Sequence, residues 1–296
     1  MKRVTRDHLM YHFDQSLSPA LEIDPGEEVV LETLDALSGD IKKPEDMLTL
    51  ERSSEHVNPT TGPIYVRGAE QGDTLMVDIL DIQLAPQGWI STFPEAGVLA
   101  DEMEPLTALT PRVEGDEVIW SDRIRFPTRP MVGTIATTPP GPPVTTHNPS
   151  YYGGNMDHPD VRPGARVYLP VLVPGALFSL GDVHACQGDA EVTCAAIEIA
   201  ADVLVRIDLL KGRSWPRPWI EFDDAWITCA NAPTVEEGIR IATRDMVQLL
   251  VEKLEVSREE AFMLISATCD LRLGEAPRLP GVDVTVRAVM PKLEAK

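Results

Sequence analysis

Proline limits what this chain can fold into more than any other residue type. It supplies 26 of 296 residues, about 9% against a usual ~5%. A proline ring removes a backbone donor and clashes with the preceding helical turn, so prolines stay out of helix interiors and central strands. Spread along a chain, they punctuate it into short strands and shaped loops. The apolar patterning agrees. Ala20–Ile23 and Glu28–Thr33 alternate around Asp24-Pro25-Gly26, and Pro63–Arg67 and Thr74–Ile82 flank a Gly72-Asp73 turn.

The segment from Gln83 to Leu109 carries Trp89 and Phe93 and is long for a plain connection, so it reads as a packed excursion or a lid. Glu117–Trp120 and Ile124–Phe126 form a further hairpin. The rigid run Thr137-Thr-Pro-Pro-Gly-Pro-Pro-Val144 reads as a crossover, placing a soft boundary between residues 1–135 and 136–296 with the halves closely packed. Beyond it, Gly164–Val173, Phe178–Ala185 and Val192–Ile207 read as strands, the last two apolar enough for a buried sheet. Helices declare themselves only near the end. Thr234-Val-Glu-Glu237 and Ser257-Arg-Glu-Glu260 are capping boxes, the first followed by Val235, Ile239, Ala242, Met246, Leu249 and Leu250 at helical spacing. Leu271–Leu273 and Val282–Val289 return to strand. The fold class is mainly β with an α+β C-terminal part.

Charge bounds the partners. With 26 basic and 47 acidic side chains, the formal net charge is −21. Such a surface repels phosphate backbones and anionic lipid, which excludes nucleic acid and membrane as expected partners. No apolar run is long enough to span a bilayer, and the charged N-terminus has no apolar stretch behind it. Cys186, Cys194, Cys229 and Cys269 form no CxxC pair, so reduced thiols in a cytoplasmic protein are expected.

Reactive side chains are densest in Ser179-Leu-Gly-Asp-Val-His-Ala-Cys-Gln-Gly-Asp-Ala-Glu191. In an extended strand Asp182 and His184 share a face, and a turn at Gln187-Gly188-Asp189 brings Glu191 back toward them. Carboxylate–imidazole sets of this kind suit Zn²⁺ or a comparable divalent ion. Gly153-Gly-Asn155-Met-Asp157 is a second candidate, its glycines allowing a bend that aims Asn155 and Asp157 at the same point.

The run from Gly181 to Glu191, followed by Ala196-Ile-Glu198, closely resembles the signature of the acetamidase/formamidase family. So do Gly153-Gly-Asn-Met-Asp157, Asn58-Pro-Thr-Thr-Gly-Pro63 with the Gly72-Asp73 hairpin, and Pro170 with Gly175-Ala-Leu-Phe178. The resemblance runs in order from about Asp35 to the C-terminal helices. It implies hydrolysis of short-chain amides to carboxylate and ammonia, in a β-sandwich-like fold with two C-terminal helices. Cys186 and Ala190 stand where small or glycine residues are common in the family.

On that reading Asp157, Asp182 and His184 hold a divalent metal, with Zn expected and Ca or Mn as alternatives. The ion lowers the pKa of a bound water and polarises the carbonyl. Glu191 is the expected general base, and Gln187 and Asn155 the groups that hydrogen-bond the amide or its oxyanion. Asp189 is either a ligand or the residue that orients His184. Secondary candidates are Glu198, which needs a partner in its apolar surroundings, then Asp35, His56 and His147. Trp89 and Phe93 wall a small apolar pocket. The substrate is a small neutral amide, and the resemblance suggests a homo-oligomer, commonly a dimer. A different amide, a urea-like or cyclic imide substrate, or a non-catalytic metal-stabilised sandwich are the other readings.

Overall fold

A computed structural model of the chain describes residues 1–49, 56–103, 106–279 and 281–293. Two large sheets form its body. The larger has nine strands in the order Lys2–Val4, Glu27–Thr33, Ala201–Leu210, Thr74–Leu84, Arg166–Pro170, Trp219–Glu221, Ala225–Ala232, Val284–Pro291 and Asp270–Leu273. In the other, Pro149–Ser150, Gly153–Asn155, Met131–Ala136, Phe178–His184, Thr60–Val66 and Leu9–Met10 lie side by side, and Leu21–Ile23 also pairs with Thr60–Val66.

The strands form where apolar and polar residues alternate, because each second side chain reaches the interior. Leu75, Val77, Ile79, Val203, Val205 and Ile207 from the larger sheet meet Ile64, Val132, Ile135, Phe178 and Leu180 from the other in one buried core. This is a β-sandwich, with its two layers packed face to face. Both sheets mix strands from either side of the expected boundary at 135/136, which itself falls inside Met131–Ala136. Antiparallel pairing across the boundary makes the core common to both halves.

At the far end of the larger sheet lie two helices. Val235–Leu254 starts where Thr234 accepts a hydrogen bond from the Glu237 backbone N–H, and Arg258–Thr268 where Ser257 accepts one from Glu260. Both N-caps form as the sequence suggests, each by its Thr or Ser side chain. Ala242, Met246, Leu249, Leu250, Ala261 and Ile265 cover Trp226, Ala230, Val286, Ala288 and Met290, giving a second apolar core. The alternate residue Arg287 consequently lies on the opposite face of its strand from the helices.

One strand expectation fails. Val192–Ile207 is extended only from Ala201, as part of Ala201–Leu210. The residues before it include Cys194 at a positive φ of 60° and Glu198, which bridges to both Trp89 and His184. Those residues form a shaped loop on the functional side of the sandwich. The excursion after Gln83 is packed: Ile90–Thr92 pairs with Thr107–Leu109, and the Trp89 and Glu198 backbones exchange two hydrogen bonds of 2.9 and 2.8 Å. Residues 104 and 105 of that excursion lie outside the described residues.

Candidate active site

The site sits where Phe178–His184, Met131–Ala136 and Gly153–Asn155 run together at one end of their sheet. The Phe178–His184 strand pairs Val183 with Val132 and Gly181 with Thr134, leaving Gly133 opposite Asp182. A Cβ at Gly133 would lie 2.5 Å from Asp157 Oδ1 and 2.8 Å from Asp182 Oδ2. The missing side chain is the space the two carboxylates occupy. Neither carboxylate sits on regular extended backbone: φ is 55° at Asp182 and 46° at Asp157. For residues with a Cβ that conformation costs energy, and such strain gathers at functional sites. Asp182 and His184 therefore meet through a left-handed residue rather than by plain strand alternation.

Four side chains each spend one polar atom on the protein and leave the other without a hydrogen-bond partner. Asp182 Oδ2 accepts from Asn58 Nδ2 at 2.9 Å, and Asp157 Oδ2 accepts from Asn155 Nδ2 at 2.6 Å. Glu198 Oε1 accepts from the Ala196 backbone N–H at 3.0 Å. His184 Nδ1 lies 2.8 Å from Gln187 Oε1. Gln187 Nε2 donates to the carbonyls of Asp157 and Gly274, which fixes the amide orientation and makes Nδ1 the donor. The unpartnered atoms are Asp157 Oδ1, Asp182 Oδ1, His184 Nε2 and Glu198 Oε2. The three oxygens lie 3.9, 3.6 and 3.2 Å from Nε2, and the four side chains are 1–4% exposed.

These donors fit a divalent cation. Buried polar atoms without partners are costly, and several acidic groups in one dry place need a compensating charge. Two ligand triplets can close within this cluster, Asp182–His184–Glu198 and Asp157–His184–Glu191, and both use His184. A hydrogen bond on Nδ1 that presents Nε2 to an ion is the usual device for orienting such a histidine. Without an ion the cluster holds protons instead. Burial, then Asp182, pushes the Asp157 carboxyl well above the ordinary carboxylate range. Burial, then Asp157, does the same to Glu191 and Glu275, and burial raises Glu198 to about 7. For His184 burial opposes the charge, but Glu198 and Asp182 outweigh it and raise the imidazole above its normal range.

Above the cluster opens a cavity of about 260 Å³. Asp157, Asp182, His184, Glu191, Glu198 and Glu275 form its acidic end, and Trp89, Phe93, Leu37 and Val57 are among its apolar walls. Among the described residues no lysine or arginine lines it. Asp157, Asp182 and His184 converge as the sequence suggests, and Asn155, Glu191, Glu198 and His147 are at the cavity too. Gln187 is not available to an amide, because its hydrogens go to two carbonyls and its oxygen to His184. It takes the orienting position considered for Asp189. Asp189 instead turns outward and pairs with Arg287. Asp35 accepts from the Leu37 and Gly39 backbone N–H groups and so builds a turn, while His56 packs on the Tyr11 ring away from the cluster.

Other positions emerge only in three dimensions. Asn58 bonds both Asp182 and Asn155, and Thr134 donates to Asn155 Oδ1 at 2.6 Å. Glu275 reaches the cavity from the distant Leu273-Gly-Glu-Ala segment. Asn58 opens the Asn58-Pro-Thr-Thr-Gly-Pro63 run, whereas Gly133, Thr134 and Glu275 carry no local signal of their own.

A model of the Acetamidase/Formamidase family matches residues 2–150 and 141–292. The chain belongs to this family. The crystal structure of an acetamidase from Bacillus halodurans superposes with a TM-score of 0.93 at 36% identity, covering 98% of this chain and 97% of that one. An acetamidase of Mycolicibacterium smegmatis is 28% identical over 69% of this chain and 66% of its own length. A formamidase of Methylophilus methylotrophus is 27% identical over 64% of this chain and 61% of its own. The chain thus spans less than two thirds of these curated relatives, yet nearly all of the Bacillus acetamidase structure.

Proposed function

We propose that this protein is an amidohydrolase. It cleaves the C–N bond of small neutral amides to carboxylate and ammonia, with short-chain aliphatic amides such as formamide and acetamide as reference substrates. The observation that carries the reading is the set of four half-satisfied side chains at the acidic end of a cavity with apolar walls, in a chain of the acetamidase/formamidase family. Asp182, His184 and Glu198 would hold a divalent ion with the Asp157 carboxylate beside them, zinc being the expected one. When bound, that ion supplies Lewis acidity to the amide carbonyl and lowers the pKa of water toward ~7.

The chain's own groups do the remaining work. Gln187 keeps the His184 proton on Nδ1, so Nε2 faces the cluster unprotonated when the ion is present. Glu191, lining the cavity, takes the proton of the attacking water and returns it to the departing nitrogen. Burial, then Asp157, raises its pKa above the ordinary carboxylate range, the direction that favours returning the proton. The net reaction converts one amide and one water to a carboxylate and ammonium. We also carry a cytoplasmic location and a homo-oligomer, a dimer by preference. Light scattering tests the latter, and among the described residues no helix is long and apolar enough to cross a membrane.

Elemental analysis combined with ammonia release from formamide and acetamide tests the reading. Activity that disappears with a chelator and returns with one metal supports it. Full activity in metal-free protein removes the ion from the scheme, and silence toward every amide with metal intact favours a non-catalytic binding module.

A further inference from the structure

The cavity is larger than the smallest amides require. A water molecule's share of liquid volume is about 30 Å³, so about 260 Å³ corresponds to roughly nine such volumes. At about 260 Å³ the cavity stays just below the ~300 Å³ at which pockets for drug-sized ligands begin, so the acyl group it takes is a small one. Formamide has no acyl carbon beyond its carbonyl and acetamide only a methyl, and either leaves most of this space unfilled. Much of its lining is apolar: Leu37, Val57, Trp89, Phe93, Leu279 and Val282 share the cavity with the acidic cluster. Trp89 is buried, and its backbone is bonded in both directions to Glu198. Gly88 is held as firmly, since a Cβ there would lie 2.5 Å from the Glu198 carbonyl.

Charge narrows the choice further. The acidic end and the exposed Glu95 at the lining surround any ligand with carboxylates, with no lysine or arginine to receive an anion among the described residues.

We propose that the preferred substrate is a primary amide with an uncharged, branched or ring-bearing apolar acyl group, lodged against Leu37, Val57, Trp89 and Phe93. This assignment rests on the amidohydrolase reading and names the substrate class of that same site. Each methylene moved from water onto such a wall raises kcat/KM about fourfold.

The test is a steady-state panel of formamide, acetamide, isobutyramide, benzamide and the anionic succinamate, scored by ammonia release. The expected result is kcat/KM rising about tenfold or more from acetamide to isobutyramide or benzamide, with succinamate the poorest. Filling the wall with Val57→Phe, or with Leu37→Phe if the first variant is unstable, lowers the benzamide-to-acetamide ratio about tenfold by taking up the same space. Turnover confined to formamide and acetamide overturns this assignment and leaves amide hydrolysis standing. Efficient turnover of succinamate overturns the charge argument, and ammonia from no member overturns the amidohydrolase reading together with this one.

Discussion

Gln187 and Gly133 show how much single residues decide here. Gln187 spends its whole amide on fixing one imidazole and two carbonyls. Gln187→Leu keeps much of the volume but leaves all three groups unpaired. Orienting partners of metal ligands cost about 10–100-fold when removed, so metal affinity and kcat for ammonia release fall by that order, read by metal titration and steady-state kinetics. Gly133 acts through absence. In Gly133→Ala the methyl enters the space of two carboxylates, and overpacking costs about 1–3 kcal/mol. Urea denaturation reads that loss, and ammonia release falls further than stability does because the donors no longer converge. The sequence could flag Gln187 by its motif. It gave no sign of Gly133, since a glycine in an apolar strand looks the same whether or not carboxylates fill the space beside it.

At the scale of elements, one guanidinium ties three segments together. Buried Arg287 lies 2.7 Å from Asp160 and pairs with Asp189 and the Leu273 carbonyl. Asp160 follows Asp157, Asp189 stands between Gln187 and Glu191, and Leu273 precedes Glu275. Arg287→Met strands these partners, and because the Asp160 and Asp189 side chains keep contact with solvent, the loss stays below the about 3–5 kcal/mol of a fully buried pair. Arg287→Lys keeps the charge but not the planar fork, so it recovers only part of that stability. Denaturant titration of both variants beside the parent checks the order. The elements were legible where local chemistry dominates: both helix N-caps, the Phe178–His184 strand and the Arg166–Pro170 strand lie where the patterning puts them. The loop ahead of Ala201 was not, because its apolar residues read as strand while positive φ values and the Trp89 bridge bend it around the site.

For the whole molecule, the acidic cluster couples folding to pH and to cation. Without an ion, Glu198, Asp157, Glu191 and Glu275 have raised pKa values in the folded state, as has His184. The native state then binds more protons than the unfolded one, and stability falls as pH rises. For Glu198 the contribution is full below its normal value of 4.5 and is lost as pH passes about 7. Metal-free protein is thus expected to show a declining urea midpoint between pH 5 and about 8. Adding the ion at pH 8 raises the midpoint again, because it replaces the protons. A flat profile, or a midpoint indifferent to metal, removes the cation from this site. The −21 net charge adds self-repulsion in the same direction, but that part responds to salt rather than to the ion.

Taken alone, the sequence determined the β-rich class and the two capped helices, and it gathered Asp182, His184 and Glu191 in one short run while offering Asp157 from a separate turn. These depend on periodicity, on capping chemistry and on reactive residues close together in the chain. Only the tertiary structure decided that Glu198 joins them, that Asp189 leaves for Arg287, and that Asn58, Gly133, Thr134 and Glu275 complete the site. Those roles depend on strands far apart in sequence meeting in one sheet, and on left-handed residues that turn side chains off the regular pleat. Neither leaves a local pattern to read.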